Sequence, residues 1–249
     1  MILVFIQHID TAEKALISAF SLSKSLKKDF GILSFSENES KISAFIDKYE
    51  FSKVRIFAQE SELSKISEIS EQLEASFLIM QLPENRSKSI QKHLNACRNL
   101  RIPYLIYKDA FPVLNLDKVL VPVTFLEEEY EKVQFASAFG RFFHSEILVL
   151  LANDYGSKAK TTADKMTRLF DKFKLNYLVE KAEKDSFKVE KEAVSKAEDE
   201  NFGIVLLSAS RDYGLDDMLF GPKEQHLVKK SNVPILLVNP RGDLYALCD

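Results

Sequence analysis

The chain has 249 residues, with Lys+Arg 34 against Asp+Glu 37, a net charge of -3 and 46% hydrophobic residues. That is enough apolar material for one large or two small cores and too much for a disordered or fibrous chain. The charge balance lacks the basic surplus of a nucleic-acid binder, and only 7 glycines are present, a scarcity that weighs on any phosphate-binding reading.

Ile2–Ile6 is continuously apolar and predicts a strand. Thr11–Lys28 follows at helical period, with Ala12, Ala15, Leu16, Ala19 and Phe20 on one face; Asp10 and Glu13 have the spacing of a capping box. Gly31–Phe35 predicts a strand, Ile42, Phe45, Ile46 and Tyr49 a helix, and Val54–Ala58 a strand. Leu63, Ile66, Ser70 and Leu73 mark a helix, Phe77–Leu82 a strongly apolar strand, Ile90, His93, Leu94 and Cys97 a helical stripe, and Pro103–Tyr107 a strand.

The same order then repeats. Lys118–Val123 is a strand and Glu127–Phe143 a helix; Ile147–Leu151 is a strand, and Lys158–Lys174 a helix with Ala159, Ala163, Met166, Phe170 and Phe173 inward. Tyr177–Lys181 is a strand, Val189–Glu200 a helix and Ile204–Leu207 a strand. After the long segment Ser208–Gly221, Pro222 suits the first turn of a helix running to about Lys230, and Pro234–Val238 is the last strand. Apolar strands alternating with helices predict a parallel sheet covered on both faces, made twice. The expected domains are 1–112 and 117–240, separated by the break around Pro112 and Asn115, with 241–249 as a tail.

Two cysteines, Cys97 and Cys248, build neither a disulfide framework nor a zinc motif, which fits a reducing compartment. The apolar start stops at Gln7, short of a signal-peptide core, and no run reaches the length of a membrane span. The expectation is a cytoplasmic protein with no membrane or nucleic-acid partner.

The segment Gly203–Pro240, GIVLLSASRDYGLDDMLFGPKEQHLVKKSNVPILLVNP, resembles the C-terminal signature of the universal stress protein family, and KVLVPVTF resembles that family's first strand and loop. The first half resembles it through element order and end strands. The resemblance implies tandem flavodoxin-like domains, each a five-stranded parallel sheet. It also implies a site for ATP and Mg2+ in a loop of pattern G-x2-G-x9-G-[ST] after the fourth strand. Glycines there let backbone N–H groups approach phosphate, at the start of a helix that favours anions.

Placed on that pattern, Ser208 and Arg211 stand where the first two glycines belong, Gly221 matches, and Pro222, lacking a hydroxyl and an N–H, takes the last position. Gly214 falls between the pattern's glycines. Pro122 and Val123 are followed by Thr124 where family members that bind ATP carry Asp. Losing two or three charge-assisted hydrogen bonds, each worth about 1.5–3 kcal/mol, weakens binding by roughly three orders of magnitude. Arg211 offers partial compensation, opposed by Asp212, Asp216 and Asp217. In the first half Gln7 takes the Asp position, and Gln81–Ser87, with Pro83, is too short to wrap a triphosphate.

The expected function is therefore a stress-response binding or regulatory module without tight ATP binding and without catalytic turnover, its partner an unidentified protein or small ligand. The alternative is an ATP-binding, weakly hydrolysing protein using Val123, Thr124, Arg211, Gly214 and Gly221 of the second half. A third reading is a remodelled anion or small-molecule site lined by Val123, Ser208 and Ser210. Ser210, Asp212 and His226 lack the elbow of a serine hydrolase. His93 and Cys97 are too few to close a zinc site and read as core. Glu127–Glu129 reads as a solvated helix start, and Lys181–Lys196, which mixes both charges, as an exposed face. Phe135, Phe139, Phe142 and Phe143 read as core and interdomain packing, or as a patch for a partner. The resemblance also implies an intrachain pseudo-dimer through the last strands, with Tyr104, Ile106, Ile235 and Leu237 at the contact, and a homodimer as a further arrangement.

Overall fold

The computed structural model describes residues 1–59, 63–209 and 223–239. The chain divides into two compact units, Met1–Leu114 and Asn115–Asp249.

In the first unit, strands β1 (Ile2–Ile6), β2 (Phe30–Phe35), β3 (Val54–Gln59), β4 (Phe77–Leu82) and β5 (Tyr104–Lys108) alternate with α1 (Glu13–Ser25), α2 (Glu39–Lys48), α3 (Ile66–Gln72) and α4 (Ser87–Cys97). All neighbouring strands run parallel in the order β3-β2-β1-β4-β5. The continuous apolar runs are buried from end to end in β1 and β4, as a sheet covered on both faces requires. The stripe on α4 faces inward, with Ile90, His93, Leu94 and Cys97 all buried. The unit ends where Tyr107 donates its hydroxyl to the Pro112 carbonyl and Ser18 Oγ accepts the Leu114 N–H at 2.9 Å. Burial, helped by Asp109 and opposed by Ser18, pushes the Tyr107 phenol up to about 12.

The second unit repeats the plan with β6 (Lys118–Val123), β7 (Glu146–Leu151), β8 (Tyr177–Lys181), β9 (Ile204–Ser208) and β10 (Ile235–Val238), in the order β10-β9-β6-β7-β8. Its helices are α5 (Val133–Phe143), α6 (Lys158–Lys172), α7 (Val189–Asp199) and α8 (Lys223–Lys230). Numbered within either unit, the strands stand third, second, first, fourth, fifth. Gly203 admits the chain's entry: a Cβ there would stand 1.6 Å from the Asn115 carbonyl oxygen. Tyr104 and Ile106 lie on β5, and Ile235 and Leu237 on β10, the last strand of each unit. The tail beyond Asn239 lies outside the described residues.

Four local expectations need correction. Asp10 does not cap the first helix; it sits in a 3-10 turn, Ile9–Thr11, and its carboxylate pairs with Lys41 at 3.0 Å, while α1 starts after Ala12 with no side-chain cap. Phe173 is not inward: it lies just past α6, 38% exposed, with the Arg141 guanidinium 4.6 Å from its ring centroid. The predicted helix Glu127–Phe143 is two elements, a 3-10 turn over Glu127–Lys132 and then α5. In that turn Glu129 is fully buried rather than solvated. On α5, Phe139 is buried whereas Phe142 is 41% exposed, so the phenylalanines there do cover more than one face.

Candidate functional site

In an open parallel sheet, ligands bind outside the carboxyl ends of the strands where the winding reverses. That place falls between β1 and β4 in the first unit and between β6 and β9 in the second. In both units the register carries it open. The β6–β9 ladder pairs Val119 with Ile204 and Leu120 with Val205, leaving Val123 and Ser208 at the rim. The β1–β4 ladder ends at Phe5 and Met80.

In the second unit this crevice is occupied by the chain's own charges. A 3-10 turn has three residues per turn, so Glu129 and Lys132 project from one side of it. Both are completely buried. The Lys132 ammonium donates to the Pro122 carbonyl and to Glu129 Oε2, while Glu129 Oε1 is buried without a hydrogen-bond partner among the described residues. Glu190 of α7 stands close enough to feel both charges and pairs with Lys223 of α8 at 3.0 Å. Burial pushes the Glu190 carboxyl up and Glu129 adds to this; Lys223 and Lys132 pull the other way without prevailing. Burial works to lower Lys223, but Glu190, Glu224 and Glu129 outweigh it, so its ammonium is held above the ordinary value. Both partners move up because burial prevails at Glu190, whose side chain is 10% exposed, whereas at Lys223 three carboxylates together outweigh it.

The neighbouring loops are tied to one another. Thr124, buried, accepts the Leu126 N–H at 3.2 Å. The Phe125 N–H donates to Ser186 Oγ at 2.9 Å, and Ser186 in turn donates its N–H and hydroxyl to the Asp154 carboxylate. Of the residues singled out from sequence, Val123, Thr124 and Ser208 come together, all buried, around this crevice. Ser210, Arg211, Gly214, Gly221 and Pro222 lie outside the described residues.

In the first unit the same place is filled around a neutral amide, with the Asp109 carboxylate as one of its partners. Gln81, fully buried, accepts the Gln7 and His8 N–H groups at 2.9 Å each through Oε1. Its Nε2 reaches the His8 carbonyl (2.9 Å), Thr11 Oγ1 (3.0 Å) and Asp109 Oδ1 (3.0 Å). Beneath it, His93 Nδ1 meets the Ser89 carbonyl at 2.8 Å, and Nε2 lies 3.0 Å from the Gln81 carbonyl and 3.1 Å from Gln7 Nε2. Burial holds His93 below its ordinary range, against the two carbonyls, which favour the cation.

Sequence reasoning missed Glu129, Lys132, Glu190 and Gln81. The only signal was negative: the places where a carboxylate or glycines would serve a nucleotide held Thr124, Gln7 and Pro83, and nothing in the spacing said what took over. Among the described residues no group of three or more His, Cys, Asp or Glu is arranged to hold a metal, and no helix is long and apolar enough to cross a membrane.

No family model matches the chain, and no curated protein does. Solved structures do. A universal stress protein from Archaeoglobus fulgidus DSM 4304 is similar with a TM-score of 0.73 at 14% identity, over 97% of either chain. A functionally unknown protein from Pseudomonas aeruginosa PAO1 is similar with a TM-score of 0.64 at 11% identity, over 99% of this chain and 95% of that one. At such identities the likeness speaks for the fold, and it spans both units: the chain has the two-unit α/β fold seen in the Archaeoglobus universal stress protein.

Proposed function

We propose that the chain is a tandem universal stress protein acting as a stress-response binding or regulatory module rather than an enzyme, and that it does not hold ATP tightly. The carrying observation is the buried Glu129–Lys132 pair at the mouth of β6. A phosphate entering there meets a lysine already committed to a carboxylate and a carbonyl. It also meets two carboxylates, Glu129 and Glu190, that repel it. Freeing Lys132 would leave Glu129 as an unpaired buried charge, at a cost of several kcal/mol. Thr124 supplies no acid, and its hydroxyl oxygen accepts the Leu126 N–H of its own turn. The described residues therefore fit a triphosphate poorly, and in the first unit Gln81 and His93 fill the equivalent crevice.

The competing reading, ATP with Mg2+ in the second unit alone, rests on Val123 and Thr124 together with Arg211, Gly214 and Gly221, the last three outside the described residues. Titration calorimetry of the purified full chain with ATP and Mg2+ decides between them. The expected result is no saturable binding tighter than about 1 mM, equivalent to about -4 kcal/mol. A dissociation constant of about 1 μM, near -8 kcal/mol, overturns the proposal in favour of the ATP-binding reading.

A further inference from the structure

The 3-10 turn that buries Glu129 and Lys132 presents Glu127 and Tyr130 on another side, and these line one wall of an open groove of about 590 Å³. The opposite wall is α6, which contributes Lys165, Arg168, Leu169 and Lys172. The three basic residues are exposed, and among the described residues their side chains make no ion pair or hydrogen bond. Elsewhere on the same helix Lys160 is paired with Asp164 at 2.7 Å. Like charges three and four residues apart on a helix oppose each other, so Lys165, Arg168 and Lys172 form a like-charged patch whose repulsion a bound anion relieves. Leu169 gives the groove an apolar floor, and Tyr130 a phenol that can donate a hydrogen bond.

We propose that this groove binds a linear polyanion of the linked-phosphate type. At a rise of 1.5 Å per residue, Lys165 and Lys172 stand about 10 Å apart along the helix axis. One phosphate touches at most two of the three cations, whereas a chain of linked phosphates meets them all. Arg168 offers the planar fork that grips phosphate in two places, flanked by two lysines acting as point charges. Glu127 at the rim opposes any anion and so limits affinity. The groove is separate from the crevice between β6 and β9 and draws on none of the residues buried there.

Tripolyphosphate is the probe, titrated calorimetrically into the full chain at about 0.01 M salt, where surface charges act over roughly 30 Å. One-site saturable binding is expected, weakened several-fold at about 0.15 M salt. The R168A/K172A variant, checked by circular dichroism, should bind at least about tenfold more weakly, since each lost charged contact carries close to a decade in affinity. E127Q should bind about two- to threefold more tightly, because a nearby like charge is gone; a merely structural role for the groove would leave it unmoved. The proposal is overturned by absence of saturable binding at low salt, by unchanged affinity in R168A/K172A, or by binding that K223Q abolishes while R168A/K172A does not. Equal affinity for a glutamate-rich hexapeptide would overturn the linked-phosphate assignment and make the groove a peptide site.

Discussion

The two crevices occupy the same place in the same topology and are filled by opposite means. In the first unit a neutral amide, Gln81, laces the end of β4 to the loop after β1 and to Asp109, with the buried His93 imidazole against its carbonyl. In the second a buried lysine and glutamate do the work, with Glu190 and Lys223 alongside. The comparison teaches that an open α/β sheet must satisfy the polar groups at its winding reversal in some way. Here side chains supply the partners, and the choice between amide and ion pair sets how each unit responds to mutation and to pH.

The largest expected effect is in the charged crevice. Lys132→Met removes one partner of a completely buried pair and leaves Glu129 and the Pro122 carbonyl without their donor, which should cost about 3–5 kcal/mol in urea denaturation. Glu129→Leu combined with Lys132→Met should recover most of that loss, because apolar replacement of a whole buried pair is near neutral. A double variant no more stable than Lys132→Met would show that the pair does more than neutralise itself. The neutral crevice should break less severely. Gln81→Leu strands the Gln7 and His8 N–H groups; two such groups at about 1–3 kcal/mol each span about 2–6 kcal/mol, and because both bonds are only part-buried the loss should fall in the lower half, about 2–4 kcal/mol. A loss below about 0.5 kcal/mol, the level of an ordinary surface change, would mean that water replaces the amide and that the two crevices differ less than their geometry implies.

The alternation of strands and helices was legible because a strand buried on both faces has to be apolar at every position, and runs such as FLIMQL and KVLVPV state that directly. The inward stripe of α4 was legible for the same reason, and His93 and Cys97 are core as the periodicity predicts. Local polar signals misled. Asp10 and Glu13 carry capping-box spacing, but the backbone enters a 3-10 turn, so the aspartate faces Lys41 instead of the helix end. Glu127–Glu129 reads as solvent-facing because carboxylates almost always are. The turn stacks Glu129 on Lys132 against Pro122, and no pattern of spacing gives a hint of the backbone carbonyl waiting there. Gln81, at the end of an apolar strand, looks like a boundary residue; its five contacts depend on the stretch after β1 and on Asp109 after β5, which no local pattern encodes.

The smallest effect, and the one that separates the crevices most cleanly, is a slope with pH. His93 has a folded-state pKa below its ordinary 6.5. As pH falls through 6.5 the unfolded chain takes up the proton first, so the stability His93 contributes is complete above 6.5 and is lost toward its lowered folded value. Glu190 has a folded-state pKa above its ordinary 4.5. There the folded chain takes up the proton first, so stability is regained as pH falls through the raised value and levels off below 4.5. The two windows carry opposite signs, one opening downward from 6.5 and the other closing at 4.5, so wild-type melting between pH 7 and 4.5 sums a falling arm and a rising one. His93→Gln should remove the falling arm and Glu190→Gln the rising one, so the two variants' stability curves should diverge in opposite directions from wild type as the solution is acidified. Parallel curves for all three would mean that neither buried group titrates differently on folding, and the contrast between an amide-filled and a charge-filled crevice would then have no thermodynamic consequence beyond the cost of breaking each.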